Sequence, residues 1–121
     1  MIRRLAMCLA VLAAPSVAEE VSLGTGAVLR GLDRVNGLST DLEIPNGGTA
    51  VFESLTVDLG ECRYPIENVA GNAYAFLTIR DQDTPEPVFQ GWMMASAPAL
   101  NALDHPRYDV WVLRCSISEA D

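Results

Sequence analysis

Apolar and polar residues alternate with a period of two along most of this chain, and the helical period of 3.6 is scarce. In GAVLRGLDRV (26–35) the apolar positions fall at Leu29, Leu32 and Val35. In STDLEIPNGG (39–48) Leu42 and Ile44 share one face and Asp41 and Glu43 the other, and Asn46-Gly47-Gly48 reads as a turn. TAVFESLTVDLGEC (49–62) sets Val51, Leu55, Val57 and Leu59 against Ser54, Thr56 and Asp58. Glu53 breaks that pattern, and Gly60 is a candidate bulge. YPIENVAGN (64–72) reads as a loop. AYAFLTIR (73–80) carries β-formers on both faces, which predicts a strand buried on both sides. The polar, proline-rich DQDTPEP (81–87) then joins it to VFQGWMMAS (88–96) as a hairpin.

The last strand is YDVWVLRCS (108–116), with Asp109, Trp111, Leu113 and Cys115 on one face and Tyr108, Val110, Val112 and Arg114 on the other. Its apolar density predicts a central position. One helix interrupts the pattern. Ser96 is a suitable N-cap, Pro98 falls in the first turn, and Leu100 and Leu103 lie three apart. Pro106 forces a stop near Asp104 or His105, so about two turns are expected. The sum is an all-β protein. It reads as a small single-domain barrel or sandwich of six to seven strands with one short helix before the last strand.

The ends and the charges add to this picture. Residues 1–18, MIRRLAMCLAVLAAPSVA, have a basic start, an apolar run from Leu5 to Ala14 and small residues at 16 and 18. This is the pattern of a secretory signal peptide cleaved before Glu19. The run is too short for a helix across a roughly 30 Å hydrocarbon core. Cys8 follows Met7 too early in the run for a lipoprotein signal, and it leaves with the leader. Residues 19–121 then form a single domain exported to the periplasm. Lys is absent, and without Arg3 and Arg4 six Arg remain against sixteen Asp and Glu, a net of −10. No cationic surface for nucleic acid can be built from that set. Two cysteines remain, Cys62 and Cys115, and an even pair in an oxidising compartment reads as a disulfide. Unpaired buried thiols are the alternative. Two Cys and one His fall short of a closed zinc site.

Candidate chemistry gathers near the C-terminus. His105 is the only histidine, between Asp104 and Pro106 and close to Asp109. A nucleophilic triad would need Ser96, Thr78 or Ser116 within reach, and none lies in a G-x-S-x-G elbow. A cap on helix carbonyls is the favoured role. Asp81, Asp83 and Glu86 lack the glycine-turned loop of a calcium site. Tyr74, Trp92, Tyr108 and Trp111 are read first as packing and second as a stacking platform. No phosphate-loop, dinucleotide or zinc-protease motif occurs, so no cofactor, metal ligand or catalytic residue is assigned. Trp92, Asn101, His105, Arg107, Tyr108 and Asp109 remain as candidate interaction residues.

The run GWMMASAPALNALDHPRYDVWVLRC (91–115) resembles the hallmark of a family of exported alphaproteobacterial proteins, domain of unknown function 2155. The resemblance extends through VLRGLDRVNG, LEIPNGGTAVFESLTVDLGEC and AYAFLTIRD. LDR here replaces the family's LDK, and the stretch from Cys62 to Ala73 is shorter than the family pattern. The resemblance implies export and a body with two cysteines, and brings no catalytic residues. The expected function is a non-enzymatic periplasmic binding or accessory component of the cell envelope, its partner an envelope protein or cell-wall component. A small ligand- or glycan-binding module using Trp92 and Tyr108 is the first alternative. A hydrolase using His105 with nearby acids is the second.

Overall fold

A computed structural model describes residues 20–118. The leader read in residues 1–18 lies outside the described residues. Eight strands follow one another: β1 (Val21–Leu23), β2 (Gly26–Asp33), β3 (Ser39–Pro45), β4 (Thr49–Phe52), β5 (Leu55–Pro65), β6 (Tyr74–Asp81), β7 (Pro87–Met94) and β8 (Tyr108–Ser116). All pairings are antiparallel. One sheet runs β1-β5-β6-β7, with β4 also on β5, and the other runs β3-β2-β8. The protein is all-β, and the inner faces of the two sheets share one core. Ala27 and Leu29 of β2, Leu42 and Ile44 of β3 and Val110 and Val112 of β8 meet Val57, Leu59, Leu77 and Ile79 of the larger sheet there.

The expected hairpin of β6 and β7 is present, as is the turn at 46–48. Several expectations change. The strand count rises to eight because β1 carries too few residues to show an alternation, and because 49–62 folds back at Glu53-Ser54. That turn sets Phe52 opposite Leu55, so Phe52 enters the core and Val51 is 70% exposed. Glu53, out of pattern in the sequence, takes φ 53° there. In β2 the inward residues are Ala27, Leu29, Gly31 and Asp33; Leu32 is half-buried and Val35 exposed. A side chain at Gly31 would strike the Phe52 ring, its Cβ 2.8 Å from Cδ2. β6 buries only Ala75, Leu77 and Ile79; on its other face Tyr74, Phe76 and Thr78 are half-buried and Arg80 is exposed. β8 is an edge strand, and β2 holds the centre. Apolar density in β8 reflects contact with the opposite sheet, not strands on both sides.

Register explains how the cysteines meet. Leu59 pairs with Leu77 and Cys62 with Ala75, so three steps on β5 span two on β6. Val112 pairs with Leu29 and Arg114 with Val28, so β8 also carries one extra residue. Strict alternation would turn Cys62 away from Leu59's face and Cys115 away from Val112's. Each bulge reverses the parity once, and both thiols point inward. They form a disulfide, sulfur to sulfur 2.04 Å, that ties β5 to β8. Gly24 lies over it: a Cβ there would sit 2.7 Å from the Ser116 carbonyl oxygen. The chain bends at this point from one sheet to the other, Gly24 N–H donating to Cys62 O at 2.7 Å and Thr25 N–H to Ser116 O at 2.8 Å.

Candidate functional site

Between β7 and β8 the chain forms a strap, residues 95–107, and most candidate residues belong to it. Its start is tied down by one main-chain and one side-chain acceptor: Ala95 N–H donates to Ala73 O, and Ser96 N–H to Asn72 Oδ1. The expected two-turn helix is a single 3₁₀ turn, Pro98–Leu100, with Ala97 and not Ser96 in the cap position. Pro98 does open it, as its missing N–H allows. So short a segment cannot sustain a helix alone, and tertiary contacts decide its path. Asn101 is extended because its Nδ2 donates to the Trp92 carbonyl at 2.9 Å. Leu103 enters the core at 3% exposure, while Leu100 stays at 76%. The two leucines therefore do not share a face.

His105 does not cap a helix. Its Nδ1 accepts from the N–H groups of Arg107 at 3.0 Å and Tyr108 at 3.1 Å. Nδ1 must be unprotonated to do so, which places the proton on Nε2, 2.8 Å from Asp81 Oδ2. The ring stacks on Tyr108, centroids 5.2 Å apart. The hydrogen bond from His105 holds the Asp81 carboxyl below its ordinary range against the opposing effect of burial, with help from the Asp83 N–H and the Ser54 side chain. Two residues on, the Arg107 guanidinium grips Asp33, Nη2 to Oδ2 at 3.0 Å and Nε to Oδ1 at 3.2 Å. Asp33 is buried and also accepts the Val35 N–H. Arg107 depresses the Asp33 carboxyl below the ordinary range, and Asp33 in turn raises Arg107. Arg34 completes the cluster, donating to His105 O at 2.8 Å and approaching Asp109 at 3.5 Å. His105 thus fastens the strap to the larger sheet, and Arg107 fastens it to the smaller.

These bonds limit the chemistry. In a triad the histidine stands between nucleophile and acid. Here Asp81 stands between Ser54 and His105, and the second imidazole nitrogen is occupied by main-chain donors. Asp81 also accepts the Asp83 N–H, and Thr84 closes the 81–86 loop through the carbonyls of Asp81 and Glu86. Among the described residues no three His, Cys, Asp or Glu gather as a metal site, and no helix is long and apolar enough to cross a membrane.

The Trp92 side chain stands apart from those of the other five candidates, although Asn101 holds its carbonyl. It lies on the outer face of β7, 39% exposed, against Phe76 edge-to-face at 5.3 Å and under the Arg63 guanidinium at 5.3 Å. Register places Leu23, Arg63, Tyr74 and Met94 in one row across that face, with Phe76 and Trp92 in the next. Tyr108 lies inside the molecule at 7% exposure, packed edge-on against Phe52, so it shares no platform with Trp92. Asp81 stands out in the sequence only as part of an acidic loop, with no link to His105, and Asp33, Arg34 and Arg63 do not stand out as site residues. Asp33 carries a signal: counted inward from Leu29, it falls on the core face of β2. Arg34 and Arg63 carry none.

A two-sheet β protein, fastened by a disulfide at one end and by a histidine–arginine strap at the other, is the class these features define. The family model described as "Uncharacterized protein conserved in bacteria (DUF2155)" matches residues 27–115, and the chain belongs to that family. An uncharacterized protein of Rickettsia prowazekii (strain Madrid E) is 23% identical over 94 residues, covering 75% of this chain. The chain spans 61% of that relative's length. No solved structure matches the chain.

Proposed function

We propose that the protein is a non-enzymatic binding or accessory component of the cell envelope, exported to the periplasm by the leader read in residues 1–18. The observation that carries this reading is the outer face of the larger sheet. Leu23 and Trp92 are exposed there, Phe76 and Met94 half-buried beside them, and Arg63 lies among them. Exposed apolar and aromatic side chains gathered on one face favour a binding role. The polar groups of the strap, which first suggest catalysis, are spent on internal bonds. The outer face of the smaller sheet is different, with Arg30 bidentate on Asp41 and Glu43 and Arg114 beside them. Photocrosslinking in the periplasm separates the two faces, with p-benzoylphenylalanine in place of Trp92 or of Glu43. A discrete adduct from position 92 and none from position 43 is expected. No adduct from position 92, or equal diffuse labelling from both, defeats the reading.

A further inference from the structure

β8 has one strand neighbour, β2, along nine residues. On its other side runs a groove of about 360 Å³, lined by Asp109, Val110 and Trp111 and, across from them, by Pro98, Ala99 and Ala102. Asp109 and Trp111 lie on the outer face of β8 and Val110 on the core face, and the groove runs beside that stretch of the strand. The far wall is made of short side chains, which leaves width for an extended chain. The other edges differ: β4 is only four residues long. Asn101 occupies the Trp92 carbonyl on β7, β3 carries Asp41, Glu43 and Pro45, and β1 is three residues long. β8 has no Pro; its charged side chains are Asp109, in the groove, and the exposed Arg114, which does not line it.

We infer that the β8 edge accepts an extended segment of another protein as an added strand, and that this segment carries basic residues. The inference rests on the binding reading above and names the occupant's chemistry. Main-chain bonds to β8 supply affinity, and alternate side chains supply choice. A residue placed opposite Asp109 on the outer face gains from being Lys or Arg, although Arg34 already approaches that carboxylate at 3.5 Å. The next residue on that face meets Trp111, whose ring also favours a cation. Residues 19–121 carry a net of −10, which draws a basic segment and opposes a second copy of the chain at the same edge.

The test uses residues 19–121 and two capped heptapeptides, one alternating Val and Lys, the other Val and Glu, followed by amide NMR. The Lys peptide is expected to shift the amides of 109–113 and to bind at least tenfold tighter than the Glu peptide. N-methylation of one alternate set of peptide amides is expected to abolish binding, and of the other set to spare it. Ala102→Trp, at an exposed position, is expected to weaken binding at least tenfold. Asp109→Lys is expected to reverse the peptide preference, and it keeps the test open should Ala102→Trp misfold. Absence of binding, equal binding of both peptides, equal loss from both methylation series, or a dimer that consumes the β8 edge would each overturn the inference. If crosslinks from position 92 persist when the peptides fail, the binding reading stands and only the β8 strand falls. If both fail, both fall.

Discussion

At one end of the sandwich Cys62 and Cys115 tie β5 to β8 beneath Gly24, and at the other His105 and Arg107 tie the strap to Asp81 and Asp33. Both ends solve the same problem, since two stacked sheets with few covalent links must be kept from opening. The first uses one bond between buried side chains and works by restricting the unfolded chain. The second uses directional polar bonds, sensitive to protonation and to the loss of any one partner. The lesson is that a small core can be closed unequally, with one end insensitive to pH and the other dependent on charge.

The largest expected effect comes from cutting the covalent end. A separation of 53 residues between the cysteines makes their cross-link worth about 4 kcal/mol in the chain-entropy model. Replacing both with Ser should lower the denaturation midpoint by a corresponding amount. A loss under about 1 kcal/mol would mean that the strap end alone keeps the sheets together.

Cutting the polar end should cost less. His105→Ala leaves the Arg107 and Tyr108 N–H groups without their acceptor, at about 1–3 kcal/mol by chemical denaturation. Acid should act at the same end. Asp33 and Asp81 titrate below the ordinary carboxylate range when folded, so their stabilisation is complete above that range. It is lost as pH falls through the ordinary value and on through the depressed ones. Hydrogen exchange followed from pH 6 downward should therefore show the amides of Arg107 and Tyr108 losing protection before those of Gly24, Cys62 and Cys115. Simultaneous loss at both ends would erase the distinction drawn between them.

The smallest effect is a gain. Glu53 holds a positive φ at the turn whose second residue, Ser54, hydrogen-bonds Asp81 and accepts the Gln82 N–H. Glu53→Gly relieves about 1 kcal/mol of backbone strain. A raised midpoint with unchanged cysteine-end exchange would place that gain at the polar end. An unchanged or lowered midpoint would show that Glu53's charge near Arg107 matters more than its backbone.

How much of this could be read beforehand depended on whether a signal was local. Leu42 and Ile44, the 46–48 turn and the β6–β7 hairpin follow from neighbours in sequence, and each is present. Phase was harder. Alternation alone groups Val51 with Leu55 and Cys115 with Trp111, because neither the turn at Glu53-Ser54 nor the bulge in β8 leaves a mark on composition. The strap failed as a helix because Asn101 and Leu103 are held by partners distant in sequence or in the core. The six candidate interaction residues divide in the same way. Asn101, His105, Arg107, Tyr108 and Asp109 have partners brought near by folding, and Trp92 presents its ring outward.

The two bulges carry a consequence for how the chain oxidises. Each cysteine faces inward only because one extra residue precedes it, so a chain zipped one position out of step presents a thiol to solvent instead of to its mate. Formation of the bond is then a check on strand alignment. Misaligned chains keep reactive thiols on show, open to exchange, until the strands slide into the one arrangement in which two interruptions, on two different sheets, cancel.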